Sequence, residues 1–378
     1  MLVCLVTGTR PQIIKSAPVM NAMEDAGIQY EFVHTGQHYD YDLAGTFIDG
    51  LNLKKPLNLE VGSGSYNYQV YETMQRLSVH LEKSNPDYLI VPGDTTSALA
   101  AAMVGFKMDI PVCHLESGLR RFDFRVQEEM NRRLIDHGSS ALFAPTKTAV
   151  QNLEVEQVLG RIYHIGDTMY DVLKSHLPRF SKKDFRRKLL DNLSIESDGF
   201  AVLTIHRREN VDRPDTLSKI VSAINSLEFP IIFPMHPRTR KRMLEFSLEL
   251  KESHVRVTHP LSYDEFLCLL ASSKLVISDS GGIQKECYLL NVPLVSLQTR
   301  TEWVEAVEAG ACSLTVLETD SIISKCQKMY GKKLSNDASV YGDGNAAKKI
   351  PAILESGEIS LPTDRRINPA VDYFRDFL

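Results

Sequence analysis

Three carboxylates, Asp94, Glu116 and Glu128, each follow an apolar run or open a helical one. Asp94 comes after YLIV (88–91) in PGDTTSALAAA, Glu116 after PVCHL (111–115) in HLESGLR, and Glu128 starts the stretch QEEMNRRLIDHG. In an open parallel sheet, ligands sit beyond the carboxyl ends of the strands, where these residues fall. Acids crowded together there would titrate apart, so that one site holds both an acid and a base. Asp94 or Thr95 would also cap the Ala-rich helix that follows. Glu116, beside a turn at Gly118, has no helical partner to account for it. In the helix, Met130 and Leu134 read as the inward face. Glu128–Arg132 and Glu129–Arg133 read as i, i+4 pairs, worth roughly 0.2–0.5 kcal/mol each. Arg120, Arg121 and Arg125 would offset repulsion among the acids or simply be solvated.

Basic residues gather at other strand ends. After LVCLV (2–6) comes TGTRPQIIK, where Pro11 suits a first helical turn and Lys15 lies four residues further on. Arg10 and the backbone N–H groups there would face an anion. LTIHRREN sets His206, Arg207 and Arg208 after a strand, and MHPRTRK repeats the theme with His236, Arg238 and Arg240. ISDSGGIQKE reads as strand, small-residue turn and helix. Ser280, Gly281 and Gly282 would let backbone amides approach a diphosphate, and Glu286, one turn in, would accept hydrogen bonds from ribose hydroxyls. No GxGxxG follows any strand and no GxxxxGK[ST] occurs, which disfavours NAD and a Walker-type triphosphate. A diphosphate on one lobe with carboxylates on the other points to a nucleotide sugar.

The elements that must position these residues are legible. LVCLV, YEFVH, YLIV, PVCHL, ALFA and IYHI alternate with helical spacing, as do FAVLTI, PIIFPM, VRVT, KLVIS, PLVSL and SLTV after a polar, strand-free passage near 182–199. Such runs are buried parallel strands joined by crossover helices. The fold class is α/β, two Rossmann-like doubly wound lobes with a junction near 166–170. Scattered apolar residues after Pro351, including Ile353, Leu354, Val371, Tyr373, Phe374 and Phe377, read as a strap returning to the first lobe. A chain of 378 residues with 43% hydrophobic content suits two domains, and a net charge of −5 argues against general nucleic-acid binding. No apolar run reaches the length of a membrane span. The start reads as a core strand and not a signal peptide. Six cysteines without a CxxC pair read as reduced, buried thiols in a cytoplasmic protein, with neither a disulfide framework nor a zinc site.

GTRPQIIK, GDTTSALA, HLESGLR, QEEMNR, HRREN and SDSGGIQKE, in this order and spacing, resemble the non-hydrolysing UDP-N-acetylglucosamine 2-epimerase family. The resemblance implies a glycosyltransferase-B-like fold with an N-terminal lobe (1–166), a UDP-binding lobe (167–350) and a C-terminal segment (351–378) packing back on the first lobe. It implies Asp94, Glu116, Glu128 and His206 as catalytic, with Arg10, Lys15, His236, Ser280, Gly281, Gly282 and Glu286 binding substrate. It further implies no cofactor, no catalytic metal, no nucleic-acid or membrane partner, a UDP-sugar substrate and a homodimer. Gln127-Glu128-Glu129 stands where the family has Pro-Glu-Glu, and Thr301-Glu302-Trp303-Val304-Glu305 where Thr-Glu-Arg-Pro-Glu is common. Gln12, TGQHYD and TEWVE are similar to relatives acting on UDP-2,3-diacetamido-2,3-dideoxy-glucuronate. A glycosyltransferase and a hydrolysing epimerase are the rival activities on this fold.

Overall fold

The computed structural model describes residues 1–36, 53–195 and 199–362. Gln37, His38 and Tyr39 of TGQHYD, and Val371, Tyr373, Phe374 and Phe377, lie outside the described residues. Two parallel sheets organise the rest. The first contains β1 (Leu2–Thr7), β2 (Gln29–His34), β3 (Leu57–Asn58), β4 (Tyr88–Pro92), β5 (Val112–Leu115), β6 (Ala141–Ala144) and β7 (Arg161–His164), in the order β3-β2-β1-β4-β5-β6-β7. The second contains β8 (Ala201–Thr204), β9 (Ile231–Pro234), β10 (Val255–Thr258), β11 (Leu275–Ser278), β12 (Leu294–Ser296) and β13 (Cys312–Leu314), in the order β10-β9-β8-β11-β12-β13. Both are doubly wound, and the strand order reverses at β1/β4 and at β8/β11.

Burial on both faces explains the apolar strands. In β1, Val3 and Leu5 enter one core cluster with Ile13 and Met20, while Cys4 and Val6 enter another with Leu77 and Ala101. All six cysteines are buried and unbridged. The polar passage after Lys182 carries a helix, Lys183–Asn192, that packs on the helix Tyr263–Ser272.

The chain divides into two compact units. Unit 1 is Met1–Met169 with the described residues from Asn345 onward, and unit 2 is Tyr170–Gly344. The return to unit 1 is made by the helix Ala346–Glu355, whose Ala346, Ala347, Ile350 and Leu354 join the core around Val3 and Ile13. Lys349 Nζ donates to the Ile165 carbonyl at 2.7 Å, and Arg161 pairs with Glu358. No helix among the described residues is long and apolar enough to cross a membrane.

Candidate active site

Unit 1 brings Lys15, Asp94 and Glu116 together at the carboxyl ends of β1, β4 and β5. Pro11 lies in the first turn of the helix Arg10–Asp25, capped by Thr9, and Lys15 reaches from that helix to pair with Glu116. Arg10 is exposed at the same helix start. Glu116 has φ +69°, a left-handed backbone costing a residue with a Cβ about 1–3 kcal/mol. Gly93, with φ +66°, precedes Asp94, and a Cβ on it would lie 3.2 Å from Lys15 Nζ and 3.4 Å from Glu116 Oε2. The Gly93 backbone that leads into Asp94 thus lies against the Lys15–Glu116 pair. Thr95, not Asp94, caps the helix Thr96–Lys107, accepting the Ala98 amide at 3.2 Å. Asp94 instead pairs with Arg132 Nη2 at 2.6 Å, and its carbonyl accepts Asn131 Nδ2 at 2.8 Å.

Gln12 braces this crest. Its Oε1 accepts the Gly8 and Thr9 amides at 2.8 and 3.1 Å, and its Nε2 donates to the Pro92 carbonyl at 2.5 Å. One buried side chain therefore ties the loop after β1 to the end of β4 across the point where strand order reverses.

The helix Gln127–Gly138 is turned differently from the expectation. Met130 and Leu134 are 44% and 49% exposed, while Glu129, Asn131, Arg132, Ile135 and Asp136 face inward. Ion pairing sets this orientation, because a buried polar group without a partner costs as much as an apolar side chain gains by burial. Glu129 pairs with Arg133 at 3.3 Å as expected, yet it is wholly buried and also accepts the Arg121 amide at 2.7 Å. Arg132 pairs with Asp94 and Glu129 rather than with Glu128, which is exposed in the first turn. Of the flanking arginines, Arg125 pairs with Asp123 at the surface, and Arg120 is buried against Asp136 at 2.7 Å and Glu156 at 2.6 Å. Asp94 and Glu116 thus face separate cations rather than one another.

Unit 2 gathers His206, His236 and the Ser280–Gly282 turn around the ends of β8, β9 and β11. The His206 and His236 ring centroids are 5.8 Å apart. His236 caps the helix Pro237–Glu245 through Nδ1, which accepts the Arg238 amide at 3.1 Å. Arg238 is held by Asp212 at 2.6 Å and is committed to that pair. Ser280 is the N-cap residue of the helix Gly281–Leu289. At Gly281 a Cβ would lie 2.6 Å from Glu302 Oε1, the movable end of a side chain, so a substitution there would push that carboxylate aside. At Gly282 a Cβ would meet no described atom within 4 Å, so protein packing does not call for that glycine. Asp279, wholly buried, accepts the His206 and Arg207 amides at 3.1 and 2.9 Å and Asn210 Nδ2 at 3.0 Å. It does in unit 2 what Gln12 does in unit 1. Elsewhere, Cys4, Glu31 and His80 bring possible metal-ligand atoms within 4.8 Å of one another, but His80 and Glu31 already pair at 2.9 Å and Cys4 is a core thiol.

A family model described as UDP-N-acetylglucosamine 2-epimerase matches residues 21–355. The chain belongs to the UDP-N-acetylglucosamine 2-epimerase family. A UDP-N-acetylglucosamine 2-epimerase homolog from Methanococcus maripaludis is 39% identical over 360 residues, covering 94% of this chain and 100% of that protein. A UDP-2,3-diacetamido-2,3-dideoxy-D-glucuronate 2-epimerase from Pseudomonas aeruginosa is 35% identical, covering 94% of this chain and 99% of its own length. The crystal structure of Methanocaldococcus jannaschii UDP-GlcNAc 2-epimerase in complex with UDP-GlcNAc and UDP superposes with a TM-score of 0.88 at 37% identity, covering 94% of this chain and 100% of that one. The fold is glycosyltransferase-B-like, and the chain is an isomerase of the UDP-sugar 2-epimerase family.

Within the epimerase, Glu286 has a setting that predicts a measurable slope. Burial raises its carboxyl from 4.5 to about 7, against the Tyr263 hydroxyl, which donates to it at 2.9 Å, and Lys285. The folded chain then holds a proton that the unfolded chain releases, so Glu286 withdraws stability from unit 2 as pH rises from about 4.5 to about 7. Glu286→Gln is expected to flatten this slope and to exceed the parent by roughly 3 kcal/mol at about pH 8. Trp303, the only tryptophan of the chain, lies in unit 2 and reports its unfolding in urea. An unchanged slope in the variant would clear Glu286 of this role.

Proposed function

We propose that the chain is a non-hydrolysing UDP-N-acetylglucosamine 2-epimerase that inverts C2 to give UDP-N-acetylmannosamine. The observation that carries this reading is the crest of unit 1, where Glu116, on a left-handed backbone, pairs with Lys15 against the Asp94 turn. One carboxylate removes the C2 proton while the C1–O bond to UDP breaks and its electron pair leaves with UDP. The product is a 2-acetamidoglucal with a C1=C2 double bond. A second acid then protonates C2 on the opposite face, and a UDP oxygen re-forms the bond to C1. Asp94 and Glu116 serve the two faces, and Glu128 supports them.

The C2 hydrogen is weakly acidic, so departure of UDP carries much of the barrier. Arg10, Lys15 and His206 stabilise charge gathering on the diphosphate, the electrostatic contribution usually largest in such sites. The Ser280–Gly282 turn and His236 hold the diphosphate, and Glu286 accepts the ribose hydroxyls. The resemblance supports a homodimer working in the cytoplasm on nucleotide sugars destined for cell-surface glycans.

The relative from Pseudomonas aeruginosa favours a second reading, epimerisation of UDP-2,3-diacetamido-2,3-dideoxy-glucuronate. Gln12 does not weigh toward it, because both ends of its side chain are taken up by Gly8, Thr9 and Pro92.

The test is NMR of the protein in D₂O with UDP-N-acetylglucosamine and, separately, with the 3-acetamido uronic analogue. The expected result is an axial-C2 signal growing in the first sample, with deuterium at C2 of both epimers. Growth only in the second sample would transfer the activity to the uronate. Retention of the original hydrogen, or accumulation of UDP with a reducing sugar, would end the proposed mechanism.

A further inference from the structure

His114 interrupts the apolar strand β5 and is wholly buried. Its Nε2 lies 2.8 Å from the Gly93 carbonyl and its Nδ1 lies 2.6 Å from Asp136 Oδ1. A carbonyl can only accept, so Nε2 donates. Asp136 also receives the Gly118 amide at 3.1 Å and Arg120 Nη1 at 2.7 Å on its other oxygen, so it accepts throughout and Nδ1 donates as well. The imidazole therefore bonds through both nitrogens as a double donor.

These bonds are placed around the two reactive tips. Gly93 immediately precedes Asp94, and Gly118 lies two residues beyond Glu116. The helix that carries Asp136 also carries Asn131 and Arg132, which hold the Asp94 carbonyl and carboxylate. Stability alone gives little reason for a buried His–Asp–Arg cluster, since well-packed apolar residues often replace such ion pairs at no cost. Proton transfer gives a stronger one. It needs heavy atoms about 2.6–3.2 Å apart, and a misplacement of about 1 Å can cost about 10²-fold.

We propose that His114 and Asp136 are positioning residues for epimerisation: through the Gly93 carbonyl and the Gly118 amide they fix the separation and aim of Asp94 and Glu116. The inference rests on the C2 epimerase reading. Neither residue touches substrate, and both act through the backbone turns that present the two acids.

The donor geometry supplies the test. His114→Asn retains a donor near the Nδ1 position, toward Asp136, and gives up the bond to Gly93. His114→Gln retains a donor near the Nε2 position, toward Gly93, and gives up Asp136. The wild-type chain is assayed first for C2 epimerisation in D₂O, and its failure there would overturn the functional reading itself. With an active wild type, His114→Asn is expected to lower kcat about 10–100-fold and His114→Gln less. KM and UDP affinity should stay within about twofold, because the groups assigned to UDP in unit 2 are untouched. The ratio of deuterium in recovered substrate to deuterium in product should also shift, a readout that mere loosening of the fold would not move. Wild-type kcat in both variants would overturn the proposal, as would a parallel fall of kcat, KM quality and UDP affinity. If the His114 variants do not fold, Asp136→Asn carries the same comparison. Reduced kcat with intact UDP affinity would support the proposal, and full kcat would reject it.

Discussion

Glu116→Gln is expected to lower turnover by about 10³-fold while leaving UDP affinity within about twofold. Glutamine keeps the length of the side chain, adopts the same left-handed backbone no worse than glutamate, and can still accept a hydrogen bond from Lys15. What it loses is the capacity to take or return a proton at neutral pH. Of the groups assigned to UDP, His206, His236, Ser280–Gly282 and Glu286 lie in unit 2 and are unaffected, and Lys15 keeps its positive charge and a hydrogen-bond acceptor beside it. Steady-state epimerisation, deuterium entry at C2 and a UDP titration followed by Trp303 fluorescence separate these effects. Deuterium entry at the parental rate in the variant would remove Glu116 from the chemistry.

A second large effect concerns stability. Arg120→Met should destabilise unit 1 by about 3–5 kcal/mol, because it strips a buried guanidinium from two carboxylates that stay behind. Arg120 bonds Glu156 through Nε at 2.8 Å and Nη2 at 2.6 Å, and Asp136 through Nη1 at 2.7 Å. Burial would raise both carboxyls, but His114 and Arg120 together hold Asp136 low, and Arg120 with Arg133 and His137 holds Glu156 low. Acids depressed on folding contribute stability above their unfolded values near 4 and lose it as pH falls through the folded ones. The parent should therefore soften in acid more steeply than the variant, and the gap between them should narrow there. Urea titrations followed by far-UV circular dichroism at several pH values check this. Equal midpoints at neutral pH would show that the network is not holding the unit.

Much of this architecture could be read from the sequence. The run ALFA ends where β6 ends, because a strand buried on both faces leaves no polar position to blur it. β3 is two residues long, too short to show any period. The crest residues Asp94, Glu116 and His206 were legible because parallel sheets present ligands at one edge. Their partners were not. Arg132 looked like the i+4 companion of Glu128, and only the fold brings it to Asp94. Met130 and Leu134 gave an apolar spacing that pointed the helix the wrong way, since charge pairing outweighed two apolar side chains. A histidine inside VCHL and an aspartate before SGG were the available signals for His114 and Asp279. Neither says which amides it would hold.

The pairing of Asp94 with Arg132 and of Glu116 with Lys15 has a consequence for arrival. Two acids and two bases cancel within a few ångströms, so at a Debye length of about 8 Å these two pairs add little net field to that edge of unit 1. A diphosphate drifting in meets no repulsive field from the very carboxylates that will later strip a proton from its sugar.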